Sequence, residues 1–427
     1  RRLVMLRHTS FMTSKLPAYV LSAVVMFLTL FAWGSYFVPM GRYLSLHFPG
    51  DPSVTGFAYG AGPLAAMVSP LIAGWLADRA IAPRFLFCIL GVVGGVLLWC
   101  VPMATTTFGF SFLLFTHALC YFAALPLLNA LVLKVLAERS NFFPWFRVSG
   151  TLGWIASGFA VAYVANLTHS TQEMATSVQI FQIGGAAMVL AGLLGLGFGM
   201  NEVEEKSEAS GEQGSVGQLL GDRQFIVFLL FSFLFCIPLA LYFSYANLFL
   251  ASRGVAHPEA IMTLGQVSEV VFLVLLPFAL YYLSAKNALI VGMACWAIRY
   301  ALFAIAGTQE SLLIAGIVLH GVCYDFFFVT GMQYADRRAP AGLRNLAQSA
   351  VAWVTLGLGL WAGNMIAPIL DSRFIDRTNP ANPVFRSEFW AYPSAFATLL
   401  LIIFAVFYRD NTRLASRSSN EFVGHHE

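Results

Sequence analysis

Charge is what this sequence has least of. Asp, Glu, Lys and Arg make up 11% of its 427 residues, against about 25% in an ordinary soluble domain. Hydrophobic residues make up 59%, and the mean hydropathy is +0.74. A soluble enzyme and a disordered chain are excluded, and lipid has to be the solvent. The net charge of +3 supplies no basic field for nucleic acid. The six cysteines, Cys88, Cys100, Cys120, Cys236, Cys295 and Cys323, fall inside apolar runs without a C-x-x-C pair. They read as reduced packing residues, with no disulfide framework and no metal site. G-x-x-x-x-G-K-[ST], H-E-x-x-H and G-x-S-x-G are all missing, so neither nucleotide hydrolysis nor covalent catalysis is expected. No cofactor is implied, and an ion gradient is then the natural energy source.

Long apolar runs are what the sequence does have. A membrane-spanning helix needs about 20 such residues. The runs at 17–43, 54–76, 84–104, 107–134, 145–167, 178–200, 223–250, 260–284, 286–307, 310–334, 343–370 and 387–409 make twelve helices. They are continuous rather than alternating, which excludes a membrane β-barrel. Residues 201–222 hold Glu202, Glu204, Glu205, Glu208, Glu212 and Asp222 with a single Lys206, a solvated linker between two groups of six. The expected organisation is a cytoplasmic segment 1–16, a six-helix bundle 17–200, the acidic linker 201–222, a second bundle 223–409 and a tail 410–427. The chain starts at Arg1, and Met12 precedes the first apolar run, so residues 1–11 fit an upstream extension. No small-residue cleavage site follows that run, so it reads as a retained first helix rather than a signal peptide.

Orientation follows from the loops. With the N-terminus inside, only Arg42, Arg253, Arg373, Arg377 and Arg386 of the 24 Lys and Arg lie outside, and Arg147 and Arg299 lie within helices. Both termini are therefore expected in the cytoplasm, in a multi-pass protein of the inner membrane. Between the second and third helices the chain reads Gly74-Trp-Leu-Ala-Asp78-Arg79-Ala-Ile-Ala-Pro-Arg84. This resembles the short-loop motif of the major facilitator superfamily, Gly-x-x-x-Asp-Arg followed by a basic residue. A carboxylate at a helix end beside arginines can latch two helices on the inner side and release them as two halves rock. The match is partial, because Ile81 and Ala82 stand at the usual loop glycine. The corresponding loop of the second half, Leu283-Ser-Ala-Lys286-Asn287, is degenerate.

Ionisable groups deep in a membrane are costly and point to function. Six stand out: His117, Arg147, Glu269, Arg299, His320 and Asp325. Arg147, Thr151 and Trp154 recur at i, i+4 and i+7, placing a cation, a hydroxyl and an aromatic plate on one helix face. Gly150 and Gly153 beside them permit close helix packing. That face suits a polar, planar ligand; the bland alternative is an arginine snorkelling to the inner surface. Gln266 and Glu269 share a face at i and i+3, suited to hydroxyl groups, unless Glu269 is tied to an arginine on a neighbouring helix. His320 and Tyr324 share a face at i and i+4, and Asp325 is turned about 100° from Tyr324. A carboxylate removed from water takes up a proton more readily, as proton coupling requires. Asp325 reads equally as such a site or as a fixed ion pair with Arg299, which is also a natural partner for Glu269. The lone histidines His117 and His320 fit hydrogen-bonded core better than a proton relay.

At these residues the sequence resembles the nucleoside:proton symporters of the major facilitator superfamily. The similarity rests on Trp33-Gly34-Ser35, Arg147-x-x-Gly-Thr151-x-Gly, Gln266-x-Ser268-Glu269, Trp296-x-x-Arg299-x-Ala-Leu-Phe and Gly321-x-x-x-Asp325-Phe-Phe, spread over residues 17–410. The resemblance implies an all-α membrane protein of twelve transmembrane helices in two six-helix halves, and proton-driven nucleoside uptake by alternating access. Arg147, Thr151 and Trp154 would contact the nucleoside from the first half, and Gln266, Glu269, His320 and Tyr324 from the second. Asp325, Arg299 and Glu269 would serve coupling, and Gly74, Asp78, Arg79 and Arg84 the inner gate. The expected partners are nucleoside, protons and lipid, with no nucleic acid, and the expected state is a monomer. Trp154 stands where the family has phenylalanine and His320 where it has tyrosine. The family's two helix-seven amides fall at Ala240 and Phe243. A carrier of another small polar solute, such as a sugar or purine-like metabolite, and a transporter-like sensor without net transport are the alternatives.

Overall fold

The computed structural model describes residues 2–167, 177–198, 216–340 and 343–409. Lipid offers no partner to a backbone N–H or C=O, so each apolar run closes its hydrogen bonds within a helix. The first half holds α1 (Arg2–Phe37), the short α2 (Met40–His47), α3 (Ser53–Arg79), α4 (Pro83–Cys100), α5 (Thr107–Leu136), α6 (Phe143–Leu167) and α7 (Gln179–Gly195). The second holds α8 (Val216–Gly221), α9 (Arg223–Ser252), α10 (Pro258–Tyr282), α11 (Ala285–Ile305), α12 (Glu310–Tyr324), α13 (Thr330–Arg338), α14 (Arg344–Ala352), α15 (Leu360–Phe374) and α16 (Glu388–Phe407). Ten helical spans among the described residues are long and apolar enough to cross a membrane. Residues 199–215 of the acidic linker and the tail 410–427 lie outside the described residues.

Two spans are interrupted by π-helical turns. Asp325–Val329 joins α12 to α13, and Trp353–Gly359 joins α14 to α15. Such turns widen a helix locally and re-aim the side chains on it. The first one begins at Asp325 itself. Elsewhere polar side chains set the helix starts: Thr106 accepts from the Gly109 amide, and Ser284 from the Asn287 amide. Asp222, the last residue of the expected linker, accepts from the Gln224 and Phe225 amides and holds Arg338 at the end of α13.

Each half has its own packing. In the first, α1 lies along α6 and α7, α4 along α5 and α7, and α3 along α5. In the second, α11 lies along α12 and α16, α10 along α12, and α9 along α15. Small residues let these helices approach closely. At Gly153 a Cβ would collide with the Phe27 carbonyl of α1, and at Gly321 with the Ser268 backbone of α10. Between halves, α3 meets α15, α6 meets α10 and α2 meets α9. A two-stranded hairpin, β1 (Ile375–Asp376) with β2 (Val384–Phe385), marks one end of the bundle.

Gly153→Val forces α1 and α6 apart, and overpacking of this kind costs about 1–3 kcal/mol. A thermal melt in detergent should fall by several degrees. Gly50→Ala is the control, since nothing lies near a Cβ there; equal melts for the two variants would refute the close-packing role.

Candidate substrate site

The two halves line a cavity between them, with Phe37, Trp154, Tyr242, Phe243, Thr263 and Gln266 among its walls. Four aromatic rings, Phe37, Trp154, Tyr242 and Phe243, stand in its walls. Trp154 is held edge-on by Trp33 at 5.0 Å, and Phe37 faces Phe243 at 5.9 Å across the interface. Gly34 provides the seat, because a Cβ there would lie 3.2 Å from the Trp154 ring.

Of the residues expected to touch a ligand, Trp154 and Gln266 line this cavity. Arg147, Glu269, Tyr324 and Asp325 form a second group within electrostatic reach of one another. The close approach at Gly321 carries Glu269 on α10 toward the Tyr324–Asp325 end of α12. Arg147 is exposed, Glu269 half-buried, Tyr324 half-buried and Asp325 buried. Thr151 is half-buried, between Arg147 and Trp154 on α6. Glu269 forms no ion pair among the described residues, so no arginine ties it down.

Three expectations change. Asp325 is not paired with Arg299: neither of its carboxylate oxygens has a hydrogen-bond partner. Arg299, also buried, donates from Nη2 to Nδ1 of His320 at 3.1 Å and lies over the Tyr242 ring at 4.3 Å. Ala240 does not reach the cavity; it is buried where α9 crosses Gly363 of α15, so helix seven faces the cavity with Tyr242 and Phe243. Arg42, expected in an outer loop, is buried and pairs with the buried Glu259 at 3.4 Å. His117 is core, as expected. Its Nδ1 bonds the Gly94 carbonyl at 2.8 Å and its Nε2 meets the Tyr36 hydroxyl at 3.2 Å.

The sequence reading missed the closure at the hairpin end. Arg42 of α2 meets Glu259 at the start of α10. Arg377 of the hairpin loop binds Asp371 of α15 and donates to Ser45 of α2 at 2.9 Å. Ser45 in turn donates to the Pro380 carbonyl at 3.0 Å. These residues stand at helix ends, where a charge reads as a loop residue. The juxtaposition of α2 with helices more than 200 residues away has no local signal. At the opposite end Asp78 and Arg79 are exposed, and Asp78 forms no ion pair among the described residues. Arg79 lies near the Trp75 ring and Arg84 over Phe85; Gly74 has open space around it. Among the described residues nothing fastens the latch expected of this motif.

Two helical halves meeting around a cavity have the major facilitator fold. The nucleoside H+ symporter family model matches residues 18–413, and the chain belongs to that family. It is 31% identical to YegT of Escherichia coli (strain K12) over 398 residues, 91% of this chain and 93% of that protein. It is 25% identical to the xanthosine permease of the same organism over 414 residues, 91% and 95% of the two chains. The crystal structure of the nucleoside transporter NupG superposes with a TM-score of 0.79 at 22% identity, covering 92% of this chain and 99% of that one. The D-xylose–proton symporter superposes at 0.70 and 14%, covering 93% and 99%. At those identities the two structures speak to the fold alone. The protein is a multi-pass transporter of the inner membrane, not an enzyme.

Glu259→Gln leaves Arg42 buried without a counter-charge, a loss that commonly costs about 3–5 kcal/mol. The hairpin end should open more often. A cysteine placed at Ser53 should then react several-fold faster with a membrane-impermeant maleimide; an unchanged rate would show that the pair does not hold this end shut.

Proposed function

We propose that this protein moves nucleosides into the cell together with protons, by alternating access between its two halves. The observation that carries the reading is the family match over nearly the whole chain. The cavity between the halves, flanked by two carboxylates without a fixed cation, supports it. With α6 and α7 as the fifth and sixth spans, the helices number twelve. The Lys and Arg bias then puts both termini, the acidic linker and the tail in the cytoplasm. The hairpin end faces outward, and the conformation is closed outside and open inside.

In this reading the base lies among Trp154, Tyr242 and Phe243, where flat rings offer stacking faces. Gln266, Glu269, Arg147 and Thr151 supply donors and acceptors for the sugar hydroxyls, with Tyr324 beside them. Asp325, buried and unpaired, is the natural seat of the proton. Neutralising it removes the cost of a bare charge in the closed form and so permits the halves to rock. The protein acts as a monomer, with lipid around it and no cofactor.

The test is uptake of labelled uridine and adenosine into proteoliposomes with and without an inward proton gradient. One proton per substrate and one pH unit would sustain about tenfold accumulation. Glu269→Gln should abolish binding in a folded protein; unchanged affinity removes Glu269 from the site. Asp325→Asn should lose accumulation yet keep counterflow exchange, and continued concentration on the gradient would place the proton elsewhere. Competition by sugars rather than nucleosides would favour a different small polar solute.

A further inference from the structure

The hairpin end of the cavity carries a buried charge. Glu259 is the one charged residue among those that line the cavity. Its direction follows from α10. Glu259, Met262, Thr263 and Gln266 stand at i, i+3, i+4 and i+7 and all line the cavity, so the carboxylate is on the helix face turned to it. A Cβ at Gly158 would lie 2.9 Å from the Glu259 carbonyl and 2.7 Å from the Thr263 methyl. α6 is therefore seated against this first turn of α10, and the cavity ends there.

Arg42 balances the charge but occupies only one oxygen. The contact runs from Nη1 to Oε2 at 3.4 Å, long beside the roughly 2.7–2.9 Å of a charge-assisted hydrogen bond. Oε1 accepts no hydrogen bond among the described residues, yet it is not one of the sealed, unpartnered atoms of the core. It therefore has an opening, and the space that Glu259 lines is the cavity. The hydroxyls beside it are already engaged on their own helices. Ser157 donates to the Trp154 carbonyl and Thr263 to the Ala260 carbonyl, both at 2.6 Å. A carboxylate oxygen held this deep without a donor is costly, and a ligand in the cavity can supply one.

We infer that Glu259 is a specificity residue as well as a closing one: its free oxygen accepts an N–H from the edge of the nucleobase, so that the ligand completes the Arg42–Glu259 closure. This rests on the nucleoside reading above. Gln266 lies two helical turns further along α10, about 10 Å from Glu259. A nucleoside with its sugar at Gln266 and its ring among Trp154, Tyr242 and Phe243 turns the base edge toward Glu259. A ring N–H or an exocyclic amino group supplies the donor. A base methylated at that nitrogen supplies none and leaves the carboxylate oxygen against a methyl group, a loss that discriminates more than the bond gains. One carboxylate then holds both gate and ligand, and an occupied cavity keeps the hairpin end shut longer than an empty one.

Competition binding with two matched pairs, uridine against 3-methyluridine and adenosine against its N,N-dimethyl derivative, tests this on the purified full chain. The wild type should prefer the unmethylated member of at least one pair by about tenfold or more. Arg42→Met combined with Glu259→Met removes both charges together, a replacement that buried pairs commonly tolerate, and should bring that ratio near one. A ratio that persists in the double variant means that the methyl group meets another wall, which would overturn the assignment; so would a wild type that binds both members equally. The closure is read separately in Ser53→Cys protein. Saturating uridine should slow its reaction with a membrane-impermeant maleimide several-fold, and saturating 3-methyluridine should not. Equal slowing by both would make Glu259 a gate that the ligand does not touch, and the inference falls. If the double variant does not fold, the labelling alone decides. Absence of binding by all four nucleosides would instead overturn the nucleoside reading.

Discussion

Everything polar in this protein must find its partner inside the protein, because lipid offers none. That constraint forces the helices, and it also makes each buried charge informative. Arg42 and Glu259 satisfy one another, and Asp371 is satisfied by Arg377 and Tyr245. Asp325 is not satisfied, and Arg299 only in part. The satisfied charges gather at the hairpin end, where the halves meet. The unsatisfied ones lie around and behind the cavity, where a ligand or a proton can complete them. A half-satisfied network in a core is destabilising, and here it lies within the second half, on α11 and at the end of α12.

The helical architecture was largely legible in the sequence, since apolar length carries most of it. Helix starts fell within a few residues of the apolar runs, as at Ala285 and Glu388. What the pattern could not show was geometry inside a span. The π turn at Asp325 shifts the side chains that follow it, which no 3.6-residue count anticipates. One of the two positions where the family has a helix-seven amide, Ala240, packs its Cβ against Gly363 instead of facing the cavity. The cavity-facing pair is instead Tyr242 and Phe243.

The site was legible in part, for a similar reason. Of the faces read on single helices, Trp154 and Gln266 line the cavity, while Arg147 and Glu269 fall in the second group with Tyr324. Pairings between helices were not legible. Arg299 and Asp325 are opposite charges on neighbouring spans, and a pair was a sound expectation. The structure gives Arg299 a histidine and an aromatic face instead, because His320 lies about one turn before Asp325 and turns its ring toward α11. A sequence supplies charges and faces; which neighbour a face meets is decided by packing, here by close approaches such as Gly321.

The choice of an ion pair to close the hairpin end has a physical logic of its own. A carrier has to populate two states, so their free energies can differ by only a few kcal/mol. An interface closed by a large apolar seal would sit too deep in one state to reopen. A buried ion pair recovers in Coulomb energy roughly what it loses in desolvation. The Arg42–Glu259 contact is therefore specific about geometry but nearly neutral in net stability. When it breaks, both groups can return to water at the same end of the bundle. Asp325 has no such exit: it stays buried, so its charge has to be changed rather than moved. In the cycle proposed above the two kinds of carboxylate divide the work accordingly, one closing the end by pairing and the other setting the cost of closure by taking up a proton.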